Sequence, residues 1–252
     1  MTRTLVVLLL ILAAPGVLPA QEEEDPLTVE GEVGASLFFG NTDQTLVTTR
    51  TAADWAGEPW AFRLAGSFAY GEATGEQGNA FVNKRSWTVS SGADYTGFGR
   101  LSPSVTGRVE SSFETRIDLR AALGGGGSLE AVRNDRTRVT LSLALLAEYT
   151  DPRPGPEGEL EAETVGRWSG RFRFRRTLSD GRVTFDSNTS FHPELSTFDS
   201  FTFQSENSLA FELTDVVSLK LTFIDNFDSQ AEDRGAETNN DGQLIFSVLS
   251  SF

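Results

Sequence analysis

The sequence predicts an all-β protein: a transmembrane, antiparallel, up-and-down β-barrel of about twelve strands, with short periplasmic turns and longer extracellular loops. Three observations point there. After Pro26 apolar and polar residues alternate in run after run, and no helical period of 3.6 residues appears. The runs reach or exceed the ~9–11 residues that a tilted strand needs to cross a bilayer. The links between them are alternately tight and long, as in membrane barrels.

The first run, LTVEGEVGASLFF at 27–39, sets Leu27, Val29, Val33, Leu37 and Phe39 on one parity and Thr28, Glu30, Glu32 and Ser36 on the other. One face of such a strand is greasy and the other wet. Runs follow at 44–55, 59–72, 79–95, 100–113 and 115–130. In the next, at 136–150, Val139, Leu141, Leu143 and Leu145 oppose Thr140, Ser142 and Glu148. Runs at 162–178, 181–192, 199–213, 216–227 and 241–252 complete an even set of twelve. Tight links fall at 56–59, 96–99, 133–137, 178–182 and 213–217. The other set includes longer, acidic links at 71–79, 151–163 and 228–240.

A soluble periplasmic β protein also alternates, but its apolar parity faces a dry core and its polar parity only decorates a surface. Here the polar parity carries many charges of both signs. RWSGRFRFR sets Arg167, Arg171, Arg173 and Arg175 opposite Trp168, Phe172 and Phe174. FTFQSENSLAFEL sets Glu206 and Glu212 opposite Phe201, Phe203 and Phe211. A polar lumen with lipid outside accommodates both lists, and closure removes the two long edges of an open sheet. Trp55, Trp60 and Tyr95 lie beside the tight turns, where interfacial aromatics sit.

Residues 1–20 carry one basic residue, Arg3, an apolar run from Leu5 to Ala14 and a small residue at Ala20, which predicts a secretory signal peptide. The expected organisation is then a short acidic periplasmic segment at 21–26 and a barrel at 27–252. Export without cysteine excludes disulfide staples, lipid attachment and thiolate metal sites. The net charge is −15, or −16 without Arg3, since 20 Lys and Arg remain against 36 Asp and Glu. Such a balance excludes nucleic acid as a partner.

Several short motifs together resemble one family. They are Gly34-x-Ser36 rising into Gly40-Asn41-Thr42, Asp118-x-Arg120 before the glycines 124–127, Ser218-Leu219-Lys220-Leu221, and a final Phe252. This set is similar to the salt-induced outer membrane protein family, a barrel family of unknown function. The resemblance spans nearly the whole chain after the leader. It implies a Gram-negative outer-membrane location, contact with membrane lipid and lipopolysaccharide, and Phe252 as the C-terminal signal to the barrel-assembly machinery. The four successive glycines and the Pro/Glu-rich loop at 151–163 depart from the family's pattern, so no loop function carries over.

The lumen is the leading candidate site. Arg108, Arg120, Arg167, Arg171, Arg173 and Arg175 share the inward parity with Glu30, Glu32, Glu110, Asp118, Glu206 and Glu212. Paired across strands, these charges brace a filled interior; lining water, the arginine row favours small anionic solutes. Twelve strands fall between the filled eight-stranded barrel and the open sixteen-stranded porin, so size leaves both readings open. The expected role is envelope-structural, with restricted passage of small solutes and no enzymatic activity. His192, the single histidine, lies near Ser190 and Asn188 and raises an alternative, an outer-membrane ester or phospholipid hydrolase. Strand neighbours two apart stand ~7 Å from each other, too far for proton transfer, so His192 reads as the start of an outer loop. The glycines 124–127 lack the Lys-Ser/Thr of a phosphate cradle and read as a close approach of another backbone or side chain. Asp228, Glu232, Asp233, Glu237 and Asp241 read as solvated acidic loop charge, with no spacing of a calcium loop. A third reading is adhesion through the acidic loops. A monomer without metal or cofactor is expected.

Overall fold

The computed structural model describes residues 26–38, 44–74, 79–154, 160–178 and 181–251. Twelve strands form one closed sheet: β1 (Leu27–Phe38), β2 (Gln44–Ala56), β3 (Trp60–Thr74), β4 (Ala80–Tyr95), β5 (Leu101–Ser112), β6 (Ile117–Arg133), β7 (Thr137–Pro152), β8 (Glu163–Leu178), β9 (Val183–Pro193), β10 (Phe201–Thr214), β11 (Val217–Asp228) and β12 (Asn240–Ser251). Each strand pairs antiparallel with its sequence neighbours, and β1 with β12 closes the barrel from Glu30↔Ser251 to Gly34↔Ser247. Every strand read from the sequence is present, with ends shifted by a few residues.

Alternation decides which parity faces outward. Leu64, Val105, Leu123, Leu143 and Phe246 are all more than half exposed, which a soluble protein would not leave on so many strands of one sheet. The apolar belt therefore faces lipid, and the soluble alternative falls. Near the tight turns, Trp55, Phe62, Trp60, Tyr95 and Phe98 form a chain of ring contacts with centroids 5.2–6.4 Å apart, an aromatic girdle at that end. We call this the turn end, and the opposite one the loop end.

The interior is not uniform along the axis. Leu46, Ala73, Ile117, Leu146, Ile224 and Ile245 point inward and are buried at the loop end. The sequence reading of an all-polar lumen needs correcting there, because a small apolar layer fills that half. The turn-end half is hollow, with a cavity of about 1200 Å³. Of the glycine run, Gly124 and Gly126 sit on the inward parity against the β7 backbone. A Cβ on them would lie 2.0 Å from the Leu145 carbonyl oxygen and 2.1 Å from that of Leu143. The run permits close approach of β6 to β7 and cradles nothing.

The leader 1–20, the segment 21–25, Gly40-Asn41-Thr42 and Phe252 lie outside the described residues. So do 155–159 of the Pro/Glu loop.

A candidate lumen site with a braced loop end

The loop end is tied across the barrel by three sets of bonds. Arg120 on β6 reaches Asp228 on β11 (Nη2–Oδ2 2.8 Å), and Lys84 on β4 reaches Asp241 on β12 (Nζ–Oδ2 2.6 Å). The link between β11 and β12 then folds inward through a single 3-10 turn, Glu232–Arg234, with Ala231 fully buried. Arg234 donates to Asp228 (Nη2–Oδ2 2.6 Å) and to the carbonyl oxygen of Thr115 on the opposite wall (3.1 Å). Burial pushes the Arg234 guanidinium below its ordinary value, with Asp228 opposing that shift. Arg120 also meets Glu110 (3.4 Å) and Glu148 (3.6 Å). Arg167 binds Glu148 (2.7 Å) and donates to the carbonyl oxygens of His192 and Ser200 (3.2 Å each). The result is a buried ionic network in which every group has a partner.

Asp228 and Asp241 were therefore misread as solvated loop charges. Both are structural counter-ions of lumen cations. Among the described residues no group of three or more His, Cys, Asp or Glu could hold a metal ion.

Midway along the axis, Arg50 on β2 reaches Glu206 on β10 (Nη1–Oε1 2.5 Å). Arg108 on β5 reaches Gln204 on the same strand (Nη1–Oε1 3.1 Å). Arg108 is also held by Glu110 (Nη2–Oε2 2.5 Å). These struts separate a small loop-end cavity of about 210 Å³ from the large turn-end one, and Arg50, Arg108, Ser169, Arg171 and Gln204 line both.

The turn-end cavity differs in its balance of charge. Among the described residues, ten basic side chains line it against seven acidic ones, net +3 in a chain of net −15. Arg175 pairs with Asp186 (2.8 Å) and Glu32 with Lys220 (2.8 Å). Arg171 and Arg173, successive inward residues of β8, make no ion pair with any described residue. Asp94 lines the same cavity without forming an ion pair with either. The wet parity of RWSGRFRFR thus becomes a ladder whose rungs differ: Arg167 is locked, Arg175 is paired, and Arg171 and Arg173 are free to meet a solute.

Three residues named from the sequence stand apart. Asp118 is on the outer face. A β-bulge between Ile117 and Leu119 breaks the alternation, so Ile117 takes the buried position. Asp118 instead accepts from Arg153 Nε (2.6 Å), whose guanidinium lies over Phe113. Glu212 is exposed near the turn end and lines neither cavity. His192 is no loop-start residue: it is the penultimate residue of β9 and lines the loop-end cavity. Its Nδ1 is 3.4 Å from Thr202 Oγ1, and its Nε2 is buried without a hydrogen-bond partner. Among the described residues the ring thus has no carboxylate partner of the kind that orients a catalytic histidine. Sequence reasoning did not single out Arg50, Lys84 and Arg234, since each is defined by a partner on a distant strand or by an irregular loop.

A family model described as "Protein of unknown function, DUF481" matches residues 31–252. No curated protein matches the chain. Among solved structures, the chain is similar to the NanC porin at 11% identity and a TM-score of 0.49, covering 89% of this chain and 98% of that one. An outer membrane channel from Pseudomonas putida F1 is similar at 10% identity and a TM-score of 0.49, covering 90% and 95%. The translocator domain of the autotransporter NalP from Neisseria meningitidis is similar at 13% identity and a TM-score of 0.43, covering 92% and 89%. The fold assignment itself rests on the strand pairing and outward belt described above.

Proposed function

Because the chain belongs to the DUF481 family, whose description assigns no activity, we propose a function from the lumen itself: restricted passage of small anionic solutes across the outer membrane. One observation carries this reading, the two unpaired arginines Arg171 and Arg173 on the wall of a hollow, net-positive cavity. A guanidinium left without a counter-ion beside water attracts mobile anions and repels cations, which is how charged rings set the selectivity of pores. The periplasmic side receives the tight turns, so the wide cavity is a periplasmic vestibule. The ionic and apolar layer at the loop end is the restriction that keeps flux low.

The test is single-channel conductance of refolded protein in a planar bilayer under a salt gradient. Wild type gives a small current whose reversal potential favours anions. Arg171→Ala/Arg173→Ala moves the reversal potential towards zero selectivity. A cation-favouring wild type, or a double variant of unchanged selectivity, overturns the reading.

A further inference from the structure

We infer that the boundary between the two cavities is a binding site for one small tetrahedral oxyanion of the phosphate type, held by Arg171, His192 and Ser190 from one wall and Arg108 from the other. This deepens the proposed passage of anions and rests on it only for physiological meaning, since the site is defined by its own geometry.

The register of three adjacent strands builds the site. Arg171 on β8 pairs with Ser190 on β9, and Ser190 pairs with Gln204 on β10. One step towards the loop end, His192 pairs with Thr202. All of these point inward, because Phe172, Phe191 and Phe203 occupy the alternate parity. Arg108 arrives from the facing wall, fixed at that height by its bonds to Gln204 (3.1 Å) and to Glu110 (2.5 Å), so it contributes its charge and its remaining N–H groups.

Some donors at this place have no partner among the described residues. Arg171 makes no hydrogen bond or ion pair with any described residue, and neither does the hydroxyl of Ser190, a residue only 7% exposed. His192 Nε2 is buried and unpartnered, and in the tautomer where the Thr202 hydroxyl donates to Nδ1 (3.4 Å) it carries the imidazole proton; the site takes that tautomer. A buried donor left unmade is costly, and here the one at His192 stands beside an Arg171 guanidinium and a Ser190 hydroxyl that also lack partners, a set that an acceptor from outside would complete. Arg108 and Arg171 line the same cavity as the ring and Arg167 donates to the His192 carbonyl oxygen (3.2 Å), while the acid among them, Glu110, is already bound by Arg108 and Arg120, so the missing acceptor is an anion. A tetrahedral oxyanion offers several oxygens at fixed angles and can take charge-assisted bonds from both walls at once, with the guanidinium fork of Arg171 matching two of them.

The experiment measures binding and passage separately. Inorganic phosphate is titrated by calorimetry into the folded, detergent-solubilised barrel in chloride buffer, while chloride current is recorded in bilayers with and without phosphate. Wild type binds one phosphate. Arg171→Ala and His192→Leu each weaken binding about tenfold or more, as loss of a charge-assisted or buried donor dictates, and His192→Gln restores part of it. Arg175→Ala, two rungs down the ladder and already paired with Asp186, stays within about threefold of wild type. Each variant is first shown to be folded by its heat-modifiable mobility on gels. Absence of phosphate binding, or equal binding by all variants, overturns the site even if chloride current is anion-selective. Phosphate binding with the expected variant pattern but no current upholds the site and overturns passage.

Discussion

Replacing Arg234 by alanine tests whether the inward fold of the loop between β11 and β12 restricts the lumen. The side chain makes two bonds, to the Asp228 carboxylate at 2.6 Å and to the Thr115 carbonyl at 3.1 Å, and both acidic partner and guanidinium are less than a tenth exposed. Loss of the first removes a charge-assisted bond of about 1.5–3 kcal/mol. Asp228 keeps Arg120 at 2.8 Å and is not left as an orphan charge, so the larger penalty of a broken buried pair does not apply. The Thr115 carbonyl can turn to water, which limits its share to about 1 kcal/mol or less. A total near 2 kcal/mol raises the ratio of released to docked loop about 30-fold. The amides of Arg234, Gly235 and Ala236 donate within the loop, to Gln230, Glu232 and Ala231. Their hydrogen exchange in lipid nanodiscs should therefore quicken about 30-fold, while amides of the β-ladder stay as slow as before. Glu232→Gln, at an exposed position of the same turn, serves as the control and should change exchange little. Chloride conductance of Arg234→Ala should exceed that of wild type with the same sign of selectivity. Unchanged exchange in the loop would refute the latch, and faster exchange without a rise in conductance would place the restriction in the barrel wall instead.

Two further predictions concern stability. Gly126→Ala places a Cβ against the β7 backbone, 2.5 Å from the Cα of Ala144 as well as 2.1 Å from the Leu143 oxygen, and neither atom can yield. The urea midpoint of the folded barrel in vesicles should drop by the equivalent of about 1–3 kcal/mol, whereas Gly125→Ala, whose Cβ would rest 3.5 Å from the Ser104 oxygen, should leave it nearly unchanged; equal midpoints would remove the close-approach argument. Glu148→Ala strips the counter-charge from Arg167, both side chains 5% exposed, and should cost about 3–5 kcal/mol in the same assay. Glu130→Ala, whose partners Arg133 and Arg138 are more than half exposed, should cost under about 1 kcal/mol, and a reversed order would mean that the loop-end network does not stabilise the barrel.

Strand number, closure and the outward parity were legible because they depend on a period of two and on the spacing of links, both local properties of the chain. The arginine ladder was legible for the same reason, since Arg167 to Arg175 run unbroken along β8. What failed did so at irregularities. Asp118 was assigned inward by counting from Arg120 across a bulge that the alternation does not announce. Partners across the lumen were illegible altogether, because Arg50 and Glu206 are 156 residues apart and meet only once the barrel closes. Asp228 and Asp241 looked like loop acids because each lies at a strand end in an acidic stretch; only the positions of Arg120 and Lys84 on facing walls show otherwise. His192 was judged by distance along its own strand, a measure that misses groups on β5 and β8.

The charge of the lumen is in turn independent of the charge of the chain. The loop-end cavity is lined, among the described residues, by five basic and five acidic side chains, and the turn-end cavity carries a surplus of three positive ones, although the chain as a whole is net −15. Arg50, Arg108 and Arg171 line both cavities, so with shared residues counted once the described lining holds twelve basic and twelve acidic side chains and carries none of the acidic surplus. At physiological ionic strength charges more than ~8 Å away across water are largely screened, whereas groups on the wall that a solute touches act within that distance. On the passage proposed above, a solute entering from the turn end is governed by the rungs it meets, Arg173 and then Arg171, more than by the distant acids of the links. On that same proposal, an acidic chain can still present an anion-attracting interior, because the parity of one strand and not the net charge decides which groups face the lumen.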